Sequence, residues 1–349
     1  MDPVLYDAFD RLLTDISTPQ VVREIESGGP PQILWQQIIK SGFADAMISE
    51  QSGGAGLGLN DTFSLFFLCG RHALPVPLAQ TIVARSICAS SGVAIPDEPI
   101  AIAPLPVKPM PLTSSGDAID CRNVPFGKLA QWVLVSHAGP SDAHTHLLLP
   151  ASDANRTETG VNDSLQAHLL WKDPLSSGVV LDDDGPWLEI AAAVTAALMA
   201  GAMDTVLQTT VRYAGERVQF GRPIGKFQAI QQQLSVLAEL TTASRMAAEL
   251  GCQETAAGTP NALAAAVAKA RASEAAGTVV SIAHGVHAAM GITAEYDLQL
   301  YTRRLIEWRT DYGSAGYWNR RVGDAVLSSD AASTLEFMLP TFFPVDAPH

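Results

Sequence analysis

The sequence predicts a mainly α-helical protein with a small β domain between two helical regions. Three observations carry that prediction: apolar residues at helical spacing near the N-terminus, a proline-rich middle with short β-type runs, and an alanine-rich second half. In residues 1–93, Val4, Leu5, Phe9, Leu12, Leu13 and Ile16 recur at i, i+3, i+4 spacing, and Ile33, Leu34, Ile38 and Ile39 repeat the pattern. The glycine-rich run Ser52–Gly58 lacks the Lys-Ser/Thr ending and the preceding strand of a phosphate loop. It is predicted as a turn entering a helix, with Asn60 or Asp61 as N-cap. Residues 94–186 change texture. Ile100–Leu105, Trp132–Val135, His146–Leu149 and Val179–Leu181 are short β-type runs, predicted as a small, mostly antiparallel sheet domain. Nine of the 22 prolines lie between Pro96 and Pro150, which excludes long helices there.

Residues 187–349 read as an antiparallel four-helix bundle. An amphipathic helix is predicted over 188–216, and a second over Phe227–Leu250 with Gly251 as C-cap. A third has Thr259 as N-cap and Pro260 at N1 and runs towards Met290. Shorter helices cover Asp297–Asp311 and Asn319–Leu327. The small residues of these segments permit close helix approach.

Composition narrows the function. Of the 349 residues, 47% are apolar and 17% charged, which argues for a compact core and against disorder. A net charge of −14 argues against a nucleic-acid partner, whose phosphates demand a basic face. Residues 1–187 hold 10 basic and 21 acidic side chains, whereas residues 188–349 hold 12 and 15. No apolar stretch reads as a membrane span, and Asp7, Asp10 and Asp15 suit neither a signal nor a transit peptide, so a cytoplasmic protein with no membrane partner is expected. Cys69, Cys88, Cys121 and Cys252 form no CxxC pair and are expected as reduced, mostly buried thiols. His72, His137, His144, His146 and His168 show no metal-ligand spacing; the His144/His146 pair is expected at the surface beside a strand, and no metal site is expected.

The densest signal is Arg212–Gln231: the end of one helix, a turn at Gly221-Arg222-Pro223, and the start of the next. An Arg, amide side chains, an aromatic ring and a helix N-terminus suit a pyrophosphate and a nucleotide; the same pattern suits an ordinary helix hairpin with exposed basic residues. The string resembles the signature turn of the acyl-CoA dehydrogenase family. Val286–Arg304, with its glycine turn, acidic residue and basic helix, is similar to the family's C-terminal segment, and Ser52–Leu59 to its "GGAGL" turn. The resemblance implies three domains in the order read above, with an abridged middle domain, and α,β-dehydrogenation of acyl-CoA thioesters. It implies FAD shared at a subunit interface, with Arg217, Gln219, Phe220, Gln228, His287, Ala288, Ala289 and Gly291 as its contacts. Ala288 and Ala289 stand where the family has a Gly pair.

The rest of the family's machinery departs. The middle-domain pattern that holds the flavin ring is missing from Ile102–Thr113 and Asp120–Phe126. Removing an α-proton while the flavin takes the β-hydride needs a positioned carboxylate. Where many members carry Tyr-Glu-Gly-Thr, this chain has Asp311-Tyr312-Gly313-Ser314, and a phenol with a pKa near 10 is a poor base. At the family's alternative position stands Ala191, with Glu189 about 200° around the helix. The catalytic residue therefore remains unassigned. At 349 residues the chain resembles the short subunits of α2β2 members that lack the base. The resemblance implies a Glu-bearing homologous subunit as partner, an acyl-CoA substrate and an electron-transfer flavoprotein as acceptor. Two alternatives stay open: a homo-oligomeric dehydrogenase using Glu295 or Glu307, and a flavin-free scaffold of the same fold.

Overall fold

The computed structural model describes residues 3–105, 118–138, 144–183, 185–255 and 260–342. Five helices open the chain: α1 (Pro3–Ile16), α2 (Pro19–Glu26), α3 (Gln32–Ser41), α4 (Leu59–Arg71) and α5 (Leu78–Ser90). Thr18 caps α2, its hydroxyl accepting from the Val21 N–H, with Pro19 opening the helix where no N–H is needed. The Ser52–Gly58 run is a turn before α4, as expected, with Gly53 and Gly56 at positive φ. The cap differs: α4 starts at Leu59, so Asn60 and Asp61 lie in its first turn. Asp61 suits that place because a carboxylate there complements the helix dipole.

The middle strands are β1 (Ile100–Ile102), β2 (Ile119–Val124), β3 (Trp132–Ala138), β4 (His144–Pro150), β5 (Asn155–Glu158), β6 (Ala167–Trp171) and β7 (Val179–Leu181), with a short helix α6 (Pro174–Ser177). They form two sheets, β1-β3-β4-β7 and β2-β6-β5. Every pairing is antiparallel except β1 with β3. The second sheet was not foreseen, because β2 and β5 are short and carry polar side chains outward. Alternate residues of both sheets, Cys121, Val133, Val135, Leu147, Leu149, Leu169 and Trp171 among them, face one shared apolar core. His146 corrects the expectation of surface placement. It lies fully buried, its ring 3.0 Å from the Ser136 hydroxyl and edge-on to Trp187. Part of the stretch expected to lack the flavin-holding pattern, 106–113, lies outside the described residues.

The remaining elements are α7 (Trp187–Glu216), β8 (Val218–Gln219), β9 (Arg222–Pro223), α8 (Gln228–Gly251), α9 (Ala262–His287), α10 (Leu298–Trp308), α11 (Ala315–Leu327) and α12 (Thr334–Phe342). Several boundaries differ from expectation: α10 ends at Trp308 rather than Asp311, and α11 starts at Ala315 rather than Asn319. Gly251 is the last helical residue of α8, followed by Cys252 as cap. Asn261, not Thr259, caps α9 through its side-chain oxygen on the Ala264 N–H; Thr259 lies outside the described residues, and Pro260 bridges Glu254 instead. α9 stops at His287, and a 3-10 turn covers Ala288–Ile292. The four cysteines are buried thiols, and burial pushes Cys88 up to about 11 and Cys121 to about 12.

By Cα packing the chain forms two compact units, Met1–Thr62 with Leu74–Ala191, and Phe63–Ala73 with Ala192–His349. In the first, Arg85 of α5 is buried and ion-paired with Asp45 at 2.6 Å, and it also donates to the Pro96 carbonyl. In the second, the C-terminal part of α4 packs on α7. α7 is not amphipathic: every residue from Ile190 to Met203 is buried. By length and hydropathy alone, α7 and the segment Ala262–Ile292 suffice to cross a membrane, which corrects the expectation that no such stretch exists. Within the protein, 83% of the apolar window of α7 is buried, so its hydropathy is met by the core.

Small residues make that packing possible. A Cβ on Gly70 would sit 1.9 Å from the Leu198 carbonyl oxygen, and one on Gly201 equally close to that of Phe67. Gly201→Ala is therefore expected to destabilise the protein by at least about 2 kcal/mol, read from the midpoint of denaturant unfolding. Gly215→Ala, which meets nothing within 4 Å, serves as the neutral control.

Candidate functional site

The second unit carries three turns of interest, each with a non-glycine residue at positive φ. The first follows α7, whose end is marked by the Arg217 N–H donating to the Tyr213 carbonyl at 2.8 Å. Val218 then pairs with Pro223 and Gln219 with Arg222, a hairpin whose two-residue loop is Phe220-Gly221. Both loop residues have positive φ, 51° and 80°, as a type I′ turn requires. Gly221 meets this demand without strain and Phe220 does not, at a cost of roughly 1–3 kcal/mol. The Phe220 ring nevertheless stands 92% exposed, touching Phe227 edge-on at 6.1 Å. The Arg222 guanidinium lies over the Phe227 ring, and the Ile224 N–H closes the loop on the Arg217 carbonyl. Arg217, Gln219 and Gln228 are all exposed on this turn and the start of α8. No side chain caps α8, so the first N–H groups of the helix point outward without a helical acceptor.

The second turn ends α9. Ala288 has φ 50° and ψ −138°, backbone that favours glycine. Alanine at this position, where the family has a glycine, is therefore itself strained. Ala288, Ala289 and Met290 are exposed, whereas Gly291 is buried, and a Cβ on it would meet the His287 Cβ at 2.9 Å. His287 is buried and fixed. Its Nδ1 lies 2.8 Å from the Ala283 carbonyl, which can only accept, so Nδ1 carries the proton and Nε2 accepts from the Tyr296 hydroxyl at 3.2 Å. Burial lowers the His287 pKa, with His284 adding to the effect, which favours the neutral ring this pattern needs. Tyr213 of α7 stacks on His287 with ring centroids 4.3 Å apart. That stack ties the last turn of α7 to the end of α9, so the structure brings the two expected cofactor turns to one end of the unit. Tyr213 and Tyr296 were missed from the sequence, because nothing local links positions so far apart.

The third turn, Asp311–Gly313, holds the position where the family's base is expected. Tyr312 has φ 53° and is buried; burial, reinforced by Asp311, pushes its phenol well above the ordinary value. It therefore stays protonated and cannot serve as a base at neutral pH. The Trp318 indole N–H donates to the Tyr312 carbonyl at 3.0 Å, and a Cβ on Gly313 would lie 2.7 Å from that same nitrogen. Lys269 of α9 is fully buried beneath the turn, donating to the Gly313 carbonyl at 3.1 Å and to the Ser273 hydroxyl at 2.9 Å. Lys269 lies among the buried residues Ala265, Ala266, Ala272, Ser273 and Ala276, so the apolar register of α9 already placed it inside. Of the other carboxylates, Glu189 is buried in the first turn of α7, Glu295 is exposed and Glu307 is half-buried on α10. Ala191 is buried.

Comparisons with known proteins bear on these turns. The family described as Acyl-CoA dehydrogenase, C-terminal domain, matches residues 187–309. The chain is 31% identical over 310 residues to "Acyl-CoA dehydrogenase IpdE2" of Mycolicibacterium smegmatis, covering 86% of this chain and 91% of that protein. This chain belongs to the acyl-CoA dehydrogenase family. IpdE2 of Mycobacterium tuberculosis is 30% identical over 285 residues, 79% of this chain and 81% of that one. Among solved structures, a variant of the Tcur3481-Tcur3483 steroid ACAD superposes with a TM-score of 0.79 at 29% identity, covering 94% of this chain and 98% of that chain. The ChsE4-ChsE5 complex from Mycobacterium tuberculosis shares the fold, with a TM-score of 0.80 at 22% identity over 94% of this chain and 97% of that chain. These likenesses support the short-subunit type of the acyl-CoA dehydrogenase family and the mainly α fold with a small sheet domain.

Burial lowers the Lys269 ammonium from its ordinary value to about 7, partly offset by Asp311. The unfolded chain then binds more protons than the folded one between about pH 7 and its ordinary value near 10.5, so stability contributed by this group rises with pH across that window. Lys269→Met is expected to flatten the rise, measured as unfolding free energy against pH.

Proposed function

We propose that this acyl-CoA dehydrogenase family chain is a subunit without its own catalytic glutamate, and that its two exposed turns complete the FAD site of a Glu-bearing homologous partner. The single observation that carries this reading is the contrast between turns. Phe220 is held almost fully in solvent by a strained loop, beside exposed Arg217, Gln219 and Gln228, whereas the turn at the base position is sealed and presents a protonated tyrosine.

The residues fit a dinucleotide. Arg217 and the uncapped N-terminus of α8 offer donors and positive charge to a pyrophosphate. Gln219 and Gln228 offer amide donors and acceptors, and Phe220 an aromatic face for a ring. The exposed backbone of Ala288–Met290 lies on the same end of the unit through the Tyr213–His287 stack. When bound, FAD supplies the hydride acceptor for α,β-dehydrogenation of an acyl-CoA thioester. Arg217 holds negative charge, Phe220 excludes water from one side, and the Ala288–Gly291 turn gives a close backbone surface. The proton is removed by the partner's carboxylate, and an electron-transfer flavoprotein is the proposed electron acceptor. The related ChsE4-ChsE5 complex and the Tcur3481-Tcur3483 steroid ACAD support a hetero-oligomer and a bulky acyl group as the substrate class.

The test is purification of this chain alone and after co-expression with a Glu-bearing homologue. The lone protein is expected to show little flavin absorbance and no turnover, and the co-purified assembly both. Arg217→Ala in the assembly is expected to weaken FAD retention roughly tenfold, the scale of one charge-assisted contact. Stoichiometric flavin and full turnover in the lone chain would overturn the proposal.

A further inference from the structure

We propose that Tyr213, His287 and Tyr296 form a positioning clamp that holds the Ala288–Gly291 turn in a conformation its alanine disfavours, a role that rests on the reading that this turn faces the dinucleotide. A residue other than glycine keeps such backbone only where its surroundings over-determine it. Here they do so from both ends. Immediately before Ala288, both nitrogens and one face of the His287 ring are engaged. Nδ1 donates to the Ala283 carbonyl at 2.8 Å, Nε2 accepts from the Tyr296 hydroxyl at 3.2 Å, and the Tyr213 ring covers one face at 4.3 Å and 28°. Tyr296 in turn meets the Tyr213 ring at 6.2 Å and 71°, so the three rings form a closed set drawn from α7, the end of α9 and the loop before α10. Three residues after Ala288, Gly291 is locked because any Cβ there would strike His287, His284 or Leu298. Only Ala288, Ala289 and Met290 lie between these anchors, and all three are exposed.

The arrangement fixes a tautomer. Since the Ala283 carbonyl cannot donate, His287 must carry its proton on Nδ1, and the Tyr296 hydroxyl is the donor that satisfies the buried Nε2 lone pair. Tyr296→Phe keeps the ring and deletes that donor alone. Tyr213 adds the stacking face and places its hydroxyl 3.5 Å from the His287 carbonyl, at the junction with Ala288. None of the three touches the three exposed turn residues by a side-chain hydrogen bond in the described network, so they act through His287 and Gly291 on the backbone.

The test is amide hydrogen exchange at Ala288 and Thr293, whose N–H groups donate to the His284 and Met290 carbonyls across the turn. Tyr296→Phe is expected to speed exchange at both by about tenfold or more. In an Ala288→Gly background, where the strain is removed, the same substitution is expected to speed it by less than about threefold. Equal acceleration in both backgrounds, the outcome of a merely structural tyrosine, would overturn the clamp, as would unchanged exchange. 15N spectra of histidine-labelled protein are expected to show His287 as the Nδ1–H tautomer; the Nε2–H tautomer would also overturn it. Measuring FAD retention of Tyr296→Phe in the co-purified assembly separates the two readings. Faster exchange with reduced retention supports both, whereas faster exchange with retention unchanged leaves the clamp standing and overturns the assignment of this turn to the dinucleotide.

Discussion

The close contact of Gly70 with the backbone at Leu198, and of Gly201 with the backbone at Phe67, is the constraint on which the second unit rests. Two helices approach this nearly only where neither carries a Cβ at the crossing. The contact sinks α7 into the core over Ala192–Met203, where every side chain but that of Thr195 is apolar, since a polar group is tolerated there only with a partner. Burial of the helix fixes its axis, and a fixed axis fixes where its last turn emerges. Tyr213 and the hairpin at Val218–Pro223 are placed by that geometry, and through the Tyr213–His287 stack so is the end of α9.

The three special turns use the same device, a non-glycine residue at positive φ, to opposite ends. Phe220 and Ala288 spend strain to present a ring and a stretch of backbone to solvent. Tyr312 spends it to turn its side chain into the core, above a buried Lys269 and under Trp318. Strain of this kind persists where other contacts outweigh it, and each case shows them: Arg222 on Phe227, the His287 network, and the Lys269 ammonium on the Gly313 carbonyl. Two outward turns and a closed third are the physical basis of the proposed subunit role, in which the chain gives contacts and its partner carries the proton transfer.

Much of this was legible in the sequence, though unevenly. The N-terminal apolar spacing marked α1 and α3, and the proline-rich stretch marked a region of strands. The polar second sheet escaped because strands of four to six residues with outward polar side chains give a weak alternating signal. Helix ends shifted by a few residues, as at Asn261, where an Asn competed with a plausible Thr-Pro start. His146 was misjudged as a surface residue because its burial depends on Trp187, forty-one positions away, and on Ser136 across the strand pair.

By itself the sequence determined the helical and β periodicities, the alternation of regions, the Arg217–Gln228 turn and the absence of a glutamate at Tyr312. These are local properties: a period, a loop chemistry, a residue at a motif position. Only the tertiary structure decided which face of each element is buried, that Ala288 is strained, and that His287 is buried between tyrosines from two other elements. Such features depend on backbone direction and on partners distant in the chain, and one-dimensional spacing carries no record of either.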